Sequence, residues 1–230
     1  MAQLIPTDNL ARSAWRQTIR QREASSEQQL VEEEISRCNR LTRWLFGGSM
    51  RSATLQQVRA RQASAQARGD AAESAVTRAL VTALPAGWPV LHSLVIEGRW
   101  DLCEIDHLVV APAGCLVLET KAARNLGRRD LMEQAQRQTQ GHGRVVRRWL
   151  DLRGFRLPVH EALVLPNSPR TGCEQTLSGL TICHGIRSAL GWCLRPRRPV
   201  LPAAGQATVA AALARAGAEE VAAVSLARAG

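Results

Sequence analysis

The spacing of apolar and polar residues divides the chain near residue 69. Residues 1–68 are rich in Gln, Arg, Glu, Ser and Ala, and they lack the alternation or the continuous apolar run that predicts a strand. Apolar side chains recur there at helical spacing, which predicts an amphipathic helix that ends at Gly47-Gly48-Ser49. Its apolar positions are Leu30, Val31, Ile35, Cys38, Leu41, Trp44 and Leu45. A second, more polar helix is predicted over residues 50–67, so we expect a helical N-terminal extension over residues 1–68.

From residue 69 to residue 230, helical and strand patterns alternate, which is typical of an α/β domain. Asp70 is a suitable N-cap for a helix over residues 71–84, which Pro85 ends. Strands are predicted over residues 90–97, 115–122, 159–165 and 180–184. A further predicted strand, between the first two of these, holds Asp106. The other predicted helices are 130–140, 144–152, 186–194 and 206–216, with a break at Gly141-His142-Gly143. Together these elements predict a central mixed β-sheet with helices on both faces.

Residues 100–122 read as two strands joined by a turn at Pro112-Ala113-Gly114, which predicts an antiparallel hairpin. Side chains alternate between the two faces of a strand, so Glu119 and Lys121 point the same way and Thr120 points away. The fold-back at the turn brings Asp106 towards Glu119. Two carboxylates and one ammonium group are therefore predicted to converge on one side of the sheet.

Lys121 is the only lysine among thirty lysine and arginine residues, and the chain has no tyrosine. This composition indicates a G+C-rich coding sequence in which lysine codons drift towards arginine codons. A lysine kept against that trend suggests a site where arginine does not serve, because lysine is a compact point charge and arginine a broad, permanently protonated fork. The alternative is that one surface lysine has survived by chance.

The net charge of +10 favours a polyanionic partner such as nucleic acid. Arginine matches phosphate oxygens bidentately, although a high net charge also serves plain solubility. The six cysteines form no C-x-x-C pair, which argues against a zinc ribbon. No apolar run approaches the roughly 18–20 residues that span a bilayer, and nothing resembles a signal peptide, so we expect no membrane span and a cytoplasmic location.

The two acids and the lysine of the hairpin suit hydrolysis of a phosphodiester bond. That reaction needs a cation that polarises the phosphate, an activated water and stabilisation of the developing charge. Carboxylates such as those of Asp106 and Glu119 are hard oxygen ligands that suit Mg²⁺ or Mn²⁺. A lysine beside them can orient or deprotonate the water, or stabilise the transition state.

The segment E-I-D-H-L-V-V-A-P-A-G-C-L-V-L-E-T-K, with the helices on either side of it, resembles the nuclease-related domain (NERD) family. That family is similar to the PD-(D/E)XK nuclease superfamily, and the resemblance covers residues 71–216. It implies a restriction-endonuclease-like fold in which the hairpin carries the active site. Ala122-Ala123-Arg124-Asn125 departs from the family pattern, and the proline that often precedes the Q-A of the following helix is absent.

Carried over to this chain, the resemblance implies that Asp106 and Glu119 bind the metal and that Lys121 is the catalytic lysine. Glu73, in the first helix of the domain, matches an acid that helps to hold the metal or its water. Gln134 matches a glutamine that faces the active site in RecB-like members. Glu73 could also be an ordinary solvated acid, and Gln134 part of a polar helix face that includes three further glutamines, at positions 136, 138 and 140.

The expected function is metal-dependent cleavage of nucleic acid, with DNA as the expected substrate and Mg²⁺ or Mn²⁺ as the cofactor. One alternative is a nucleic-acid-binding or assembly module that kept the fold and lost turnover. Another is an adaptor that binds a partner or a membrane surface through its N-terminal helices, which are also a candidate surface for a second copy of the chain. His107 should point away from Asp106 and be structural, and neither His142 nor His184 has the spacing of a metal-binding pair.

Overall fold

The computed structural model describes residues 1–5, 40–97, 102–123 and 129–229. In these residues the strands are β1 (Gln3–Ile5), β2 (Pro89–Glu97), β3 (Leu102–Ala111), β4 (Gly114–Thr120), β5 (Val159–Leu165), β6 (Cys173–Leu177) and β7 (Leu180–His184). The helices are α1 (Arg40–Ala83), α2 (Arg129–Leu152), α3 (Ile186–Leu194) and α4 (Ala203–Ala229). The part of the first predicted helix that precedes Arg40 lies outside the described residues.

All the described strands form one mixed sheet in the order β1-β2-β3-β4-β5-β7-β6. Strands β2, β3 and β4 are antiparallel neighbours, and β4, β5 and β7 are parallel to one another. All seven residues of β4 are buried, as expected for a strand near the middle of a sheet that is covered on both faces. The mixed α/β sheet expected from the sequence is confirmed.

Helices cover both faces of this sheet. One face packs against Val146 and Leu150 of α2 and Leu213 of α4. The other face packs against Leu80 of α1 and Trp192 of α3. The expectation of helices on both faces is therefore correct, and the apolar contacts on the two faces hold β4 in place.

The chain separates into two compact units, one made of residues 1–12 and 71–230 and the other of residues 13–70. The described part of the second unit, residues 40–70, is helical. The expectation that residues 1–68 contain no strand is wrong, because β1 pairs in parallel with the start of β2. Three residues at the edge of a sheet are too few to leave a periodic pattern in the sequence.

Three helix boundaries predicted at glycines are also wrong. α1 is continuous through Gly47-Gly48-Ser49 and through Asp70, whose carboxylate accepts a hydrogen bond from Gln66 at 2.9 Å instead of capping a new helix. α2 is continuous through Gly141-His142-Gly143. Glycine in a helix costs only about 1 kcal/mol relative to alanine, so good helix formers on either side can carry the helix through it.

Strand β6 was not predicted because its sequence, Cys-Glu-Gln-Thr-Leu, is polar and largely exposed at the edge of the sheet. It forms an antiparallel hairpin with β7. The two turn residues, Ser178 and Gly179, have φ values of 50° and 79°. Positive φ at both central residues is the signature of a type I′ hairpin turn.

Candidate active site

A local distortion of β2 and β3 sets the position of Asp106. Ser93 opposite it has φ = 50°, an unusual value for a residue other than glycine. Ile105 and Leu108 lie in the same hydrophobic cluster, although strict alternation would place them on opposite faces. The side-chain alternation of β3 therefore shifts at Asp106. The carbonyl oxygen of Asp106 accepts a hydrogen bond from Nδ1 of His92 at 3.1 Å.

The Asp106 carboxylate is held against the end of β4. Its Oδ2 accepts a hydrogen bond from the backbone N–H of Thr120 at 2.7 Å. Burial raises the pKa of Asp106, and the negative charges of Glu119 and Glu73 raise it further, well above its usual value. The Thr120 hydrogen bond and Lys121 offset only part of this effect. A cation placed among these acids would favour the charged form of Asp106.

Glu119 is the most deeply buried acid of the group, with 1% of its side chain exposed. Its Oε1 lies 2.7 Å from Nζ of Lys121, and its Oε2 lies 2.9 Å from Nδ1 of His142. Burial raises the pKa of Glu119, but His142 and Lys121 outweigh that effect and lower it overall. The carboxylate is therefore charged and has a basic side chain at each oxygen.

Lys121 lies just beyond the end of β4, and 33% of its side chain is exposed. Its backbone N–H donates to the carbonyl oxygen of Val164, which continues the β4–β5 pairing by one residue. Asn167 donates to the carbonyl oxygen of Ala122 at 3.0 Å and so holds the segment that follows. Burial lowers the pKa of Lys121, but the negative charge of Glu119 outweighs it, so the net shift is upward.

His142 is the component of this group that the sequence analysis missed. Burial lowers its pKa, but the neighbouring Cys103 and the carboxylate of Glu119 outweigh this and raise it to about 10. Because a helix break was predicted at Gly141-His142-Gly143, His142 was not placed on the buried face of a helix. Once α2 is read as one helix, His142 falls at helical spacing among the buried positions Ala135, Thr139, Val146 and Trp149. That spacing was the available signal.

His107 is a fully buried link between α1 and the hairpin, on the face away from Glu119. Its Nε2 lies 3.2 Å from the carbonyl oxygen of Glu73 and 3.0 Å from Oγ1 of Thr77, and its Nδ1 lies 3.4 Å from Oγ1 of Thr120. Burial and the neighbouring His92 lower the pKa of His107 to about 4, so the ring is neutral at pH 7. These contacts agree with the structural interpretation of His107.

Glu73 and Gln134 differ in how they relate to this group. Glu73 is half-buried on α1, and its negative charge contributes to the raised pKa of Asp106. Gln134 is exposed on α2 and makes none of the contacts described above. Its neighbour Gln136 is buried and donates to the carbonyl oxygen of Leu177 at 3.2 Å, a bond that ties α2 to β6.

The group offers oxygen ligands of the type that Mg²⁺ prefers, from Glu73, Asp106 and Glu119. Within the described residues, however, no set of three or more His, Cys, Asp or Glu side chains is arranged to hold a metal ion. Both oxygens of Glu119 face the basic side chains of Lys121 and His142, and one oxygen of Asp106 faces a backbone N–H.

The sequence model of the nuclease-related domain family matches residues 68–166. The family resemblance predicted from the hairpin is thereby confirmed, and the family description implies an interaction with nucleic acid. No curated protein and no solved structure matched the chain significantly.

The stretch that matches the family model, residues 68–166, contains every residue of the group around Glu119, from Glu73 on α1 to His142 on α2. Strands β6 and β7 and helices α3 and α4 lie beyond the matched stretch but belong to the same compact unit. Among the helices in the described residues, none is both long and apolar enough to cross a bilayer.

Proposed function

We propose that the nuclease-related domain hydrolyses phosphodiester bonds in DNA with a divalent cation, Mg²⁺ or Mn²⁺, and that it is of the PD-(D/E)XK type with a restriction-endonuclease-like fold. The observation that carries this proposal is the position of Lys121. The only lysine of the chain lies 2.7 Å from Glu119, beside Asp106, at the end of a fully buried strand. A chance surface lysine has no reason to be at this position.

The cation would be held by Asp106 and Glu119, with Glu73 holding it or its water. The raised pKa of Asp106 supports this assignment: burial raises it most, and the negative charges of Glu119 and Glu73 raise it further, an effect that a bound cation would offset. When bound, the cation would polarise the phosphate and lower the pKa of a bound water. One of the basic partners of Glu119 would have to yield an oxygen for the ion to bind there.

Lys121 is suited to act on the attacking water or on the phosphate. Its side chain is partly exposed, and its ammonium group is a point charge on a flexible stem. From beside Glu119 it can orient the water or stabilise the negative charge that develops on the phosphate. DNA as the substrate is supported by the family description and by the arginine-rich net charge of +10.

The test is cleavage of labelled single-stranded, duplex and branched DNA with Mg²⁺ or Mn²⁺. Lys121→Arg and Asp106→Asn should each lose most of the cleavage and keep the fold and DNA affinity. Arg215→Lys, which exchanges the same two residue types at an exposed position on α4, is the matched control and should cleave like the wild type. Equal cleavage by wild type and Lys121→Arg would refute the assignment of Lys121.

The second candidate is a nucleic-acid-binding module without turnover. It is favoured by one observation: both oxygens of Glu119 already face Lys121 and His142, an arrangement that is stable without a metal. The same experiment separates the two candidates. DNA binding without cleavage in the wild type and in all the variants, with either cation, would favour the binding module.

A further inference from the structure

We infer that a groove on the exposed face of α2 holds the phosphate backbone of a DNA duplex. The groove has a volume of about 390 Å³. It lies outside the group around Glu119, which contacts this helix through the buried His142. The inference goes beyond the proposed function, because it needs neither a bound cation nor cleavage. In the described residues the groove is lined by Arg144, Arg147, Arg148, Asp151 and Leu152.

The positive charge of the chain is concentrated around this groove. Residues 144–156 contain five arginines and one acid, so this stretch alone contributes four of the net charge of +10. The arginines, at positions 144, 147, 148, 153 and 156, are all exposed. Duplex DNA carries one negative charge per about 1.7 Å of its axis, so a surface of this sign attracts it.

Two of these arginines have partners within the protein. Arg147 donates to the carbonyl oxygen of Val159 at 3.2 Å and to Oε1 of Glu161 at 3.0 Å. The guanidinium group of Arg153 lies 4.2 Å from the centre of the Trp149 ring. Both side chains therefore have a structural role, and the inference does not depend on them.

Arg144 and Arg148 have no such role. In the part of the chain that the structure describes, neither forms a hydrogen bond or an ion pair, even with the nearby Asp151. Like charges four residues apart destabilise a helix, and both arginines precede the last turn, where the helix dipole would favour them. Helix stability therefore does not explain them. A phosphate backbone does, because a guanidinium group binds phosphate oxygens bidentately.

The chemistry of the groove favours a duplex over a single strand. Proteins that hold single strands stack the bases on aromatic side chains, and none of the described lining residues is aromatic. A duplex also has the higher charge density, so each phosphate that the protein neutralises releases more counterions. Asp151 is the one lining residue that opposes the phosphates, and its charge gives the test a change of opposite sign.

The test measures binding of the full chain to a labelled DNA duplex by fluorescence anisotropy over a series of salt concentrations. EDTA is present throughout, so neither metal binding nor cleavage contributes. The test variant combines Arg144→Gln with Arg148→Gln. The matched control combines Arg187→Gln with Arg215→Gln, which removes the same charge from exposed helical positions outside the groove. Asp151→Asn, single-stranded DNA and an RNA duplex are measured alongside.

We expect the variant with Arg144→Gln and Arg148→Gln to bind the duplex at least about tenfold more weakly, the loss of one charge-assisted contact or more. Its log–log salt slope should fall by about 1.8, because each phosphate contact contributes about 0.9. The control should keep the wild-type slope. Asp151→Asn should bind more tightly, which a loss of stability cannot produce. Thermal unfolding of the test variant should match the wild type or improve, because a like-charge pair is removed.

The inference is overturned if the test variant keeps the wild-type salt slope, or if the control loses as much of it. Tighter binding to single-stranded DNA or to the RNA duplex overturns the choice of partner. Cleavage with Mg²⁺ or Mn²⁺ is measured separately and decides the nuclease proposal. A wild type that gives the expected binding pattern without cleavage refutes only that proposal. A wild type that cleaves DNA while the test variant binds equally well, or that shows no DNA binding in EDTA, refutes only the groove.

Discussion

Gly143→Ala perturbs the contact that fixes α2 on the sheet. A Cβ atom there would lie 1.9 Å from Oε1 of Glu161, 2.3 Å from its Cγ and 2.4 Å from its Cδ. All three are side-chain atoms, so either Glu161 must turn away from Arg147 or α2 must move outwards. Gly141→Ala is the matched control in the same helix, because the nearest atom to its added Cβ is Nη2 of Arg144 at 3.8 Å.

The expected change in the free energy of unfolding follows from two opposing effects. Alanine is favoured over glycine in a helix interior by about 1 kcal/mol, and both variants gain this. Gly143→Ala also meets the overpacking cost of an added carbon, about 1–3 kcal/mol. The free energy of unfolding of Gly143→Ala should therefore be lower than that of Gly141→Ala by about 1–3 kcal/mol. At about 2–4 °C per kcal/mol, this is a difference of roughly 2–12 °C in Tm.

The assay is thermal unfolding of four proteins: each alanine variant with Glu161 present and with Glu161→Ala. Removing the Glu161 side chain deletes all three clashing atoms, so it should close most of the gap between Gly143→Ala and Gly141→Ala. Equal stabilisation by both alanines, or a gap that persists with Glu161→Ala, would refute the close-packing argument. A further consequence is that Gly143→Ala should reduce DNA cleavage more than Gly141→Ala, because it displaces His142.

Three other measurements check the electrostatics of the site. The pKa of Asp106 is raised on folding, so the stability that Asp106 contributes in its protonated form is lost as pH rises through that pKa. Asp106→Asn should therefore raise Tm at pH 7.5, and a lower Tm would contradict this. The pKa of His142 is raised to about 10, so its stabilising contribution is present below about pH 6.5 and lost as pH rises through 10. Wild type should therefore lose more stability than His142→Asn between pH 7 and pH 10.5 in urea unfolding. Affinity for a DNA duplex should fall with salt by a log–log slope of about 0.9 per neutralised phosphate, and a flat response would count against DNA as the partner.

The part of the site that the sequence predicts consists of residues that are close to one another along the chain. The two-residue spacing of Glu119 and Lys121 is enough to place them together on any strand, and β4 is a strand. The short turn after Ala111 brings β3 back beside β4, so Asp106 could be placed near them without knowledge of the rest of the fold. These inferences depend on local geometry, which the sequence reports directly.

The parts that were missed depend on contacts between distant segments. At Gly143, α2 lies close to the side chain of Glu161 on β5, and the sequence of the helix does not report that neighbour. The shift in alternation at Asp106 depends on the backbone of Ser93 in the adjacent strand. Edge strand β1 is short and edge strand β6 is polar, so neither carries an apolar pattern that predicts a strand. Both are recognised as strands only by their pairing with the rest of the sheet.

The partners of Glu119 also give a physical reason for the single lysine. An arginine fork binds a carboxylate best when it meets both oxygens at once. Oε2 of Glu119 faces His142, so Oε1 is the oxygen that remains for residue 121. A point charge on a flexible stem fits one oxygen, whereas a planar fork would have to compete with the histidine or leave N–H groups unpaired. The arrangement at Glu119 therefore suits a lysine at position 121 better than an arginine. The loss of cleavage expected in Lys121→Arg should come from the geometry at Glu119, because the net charge is unchanged.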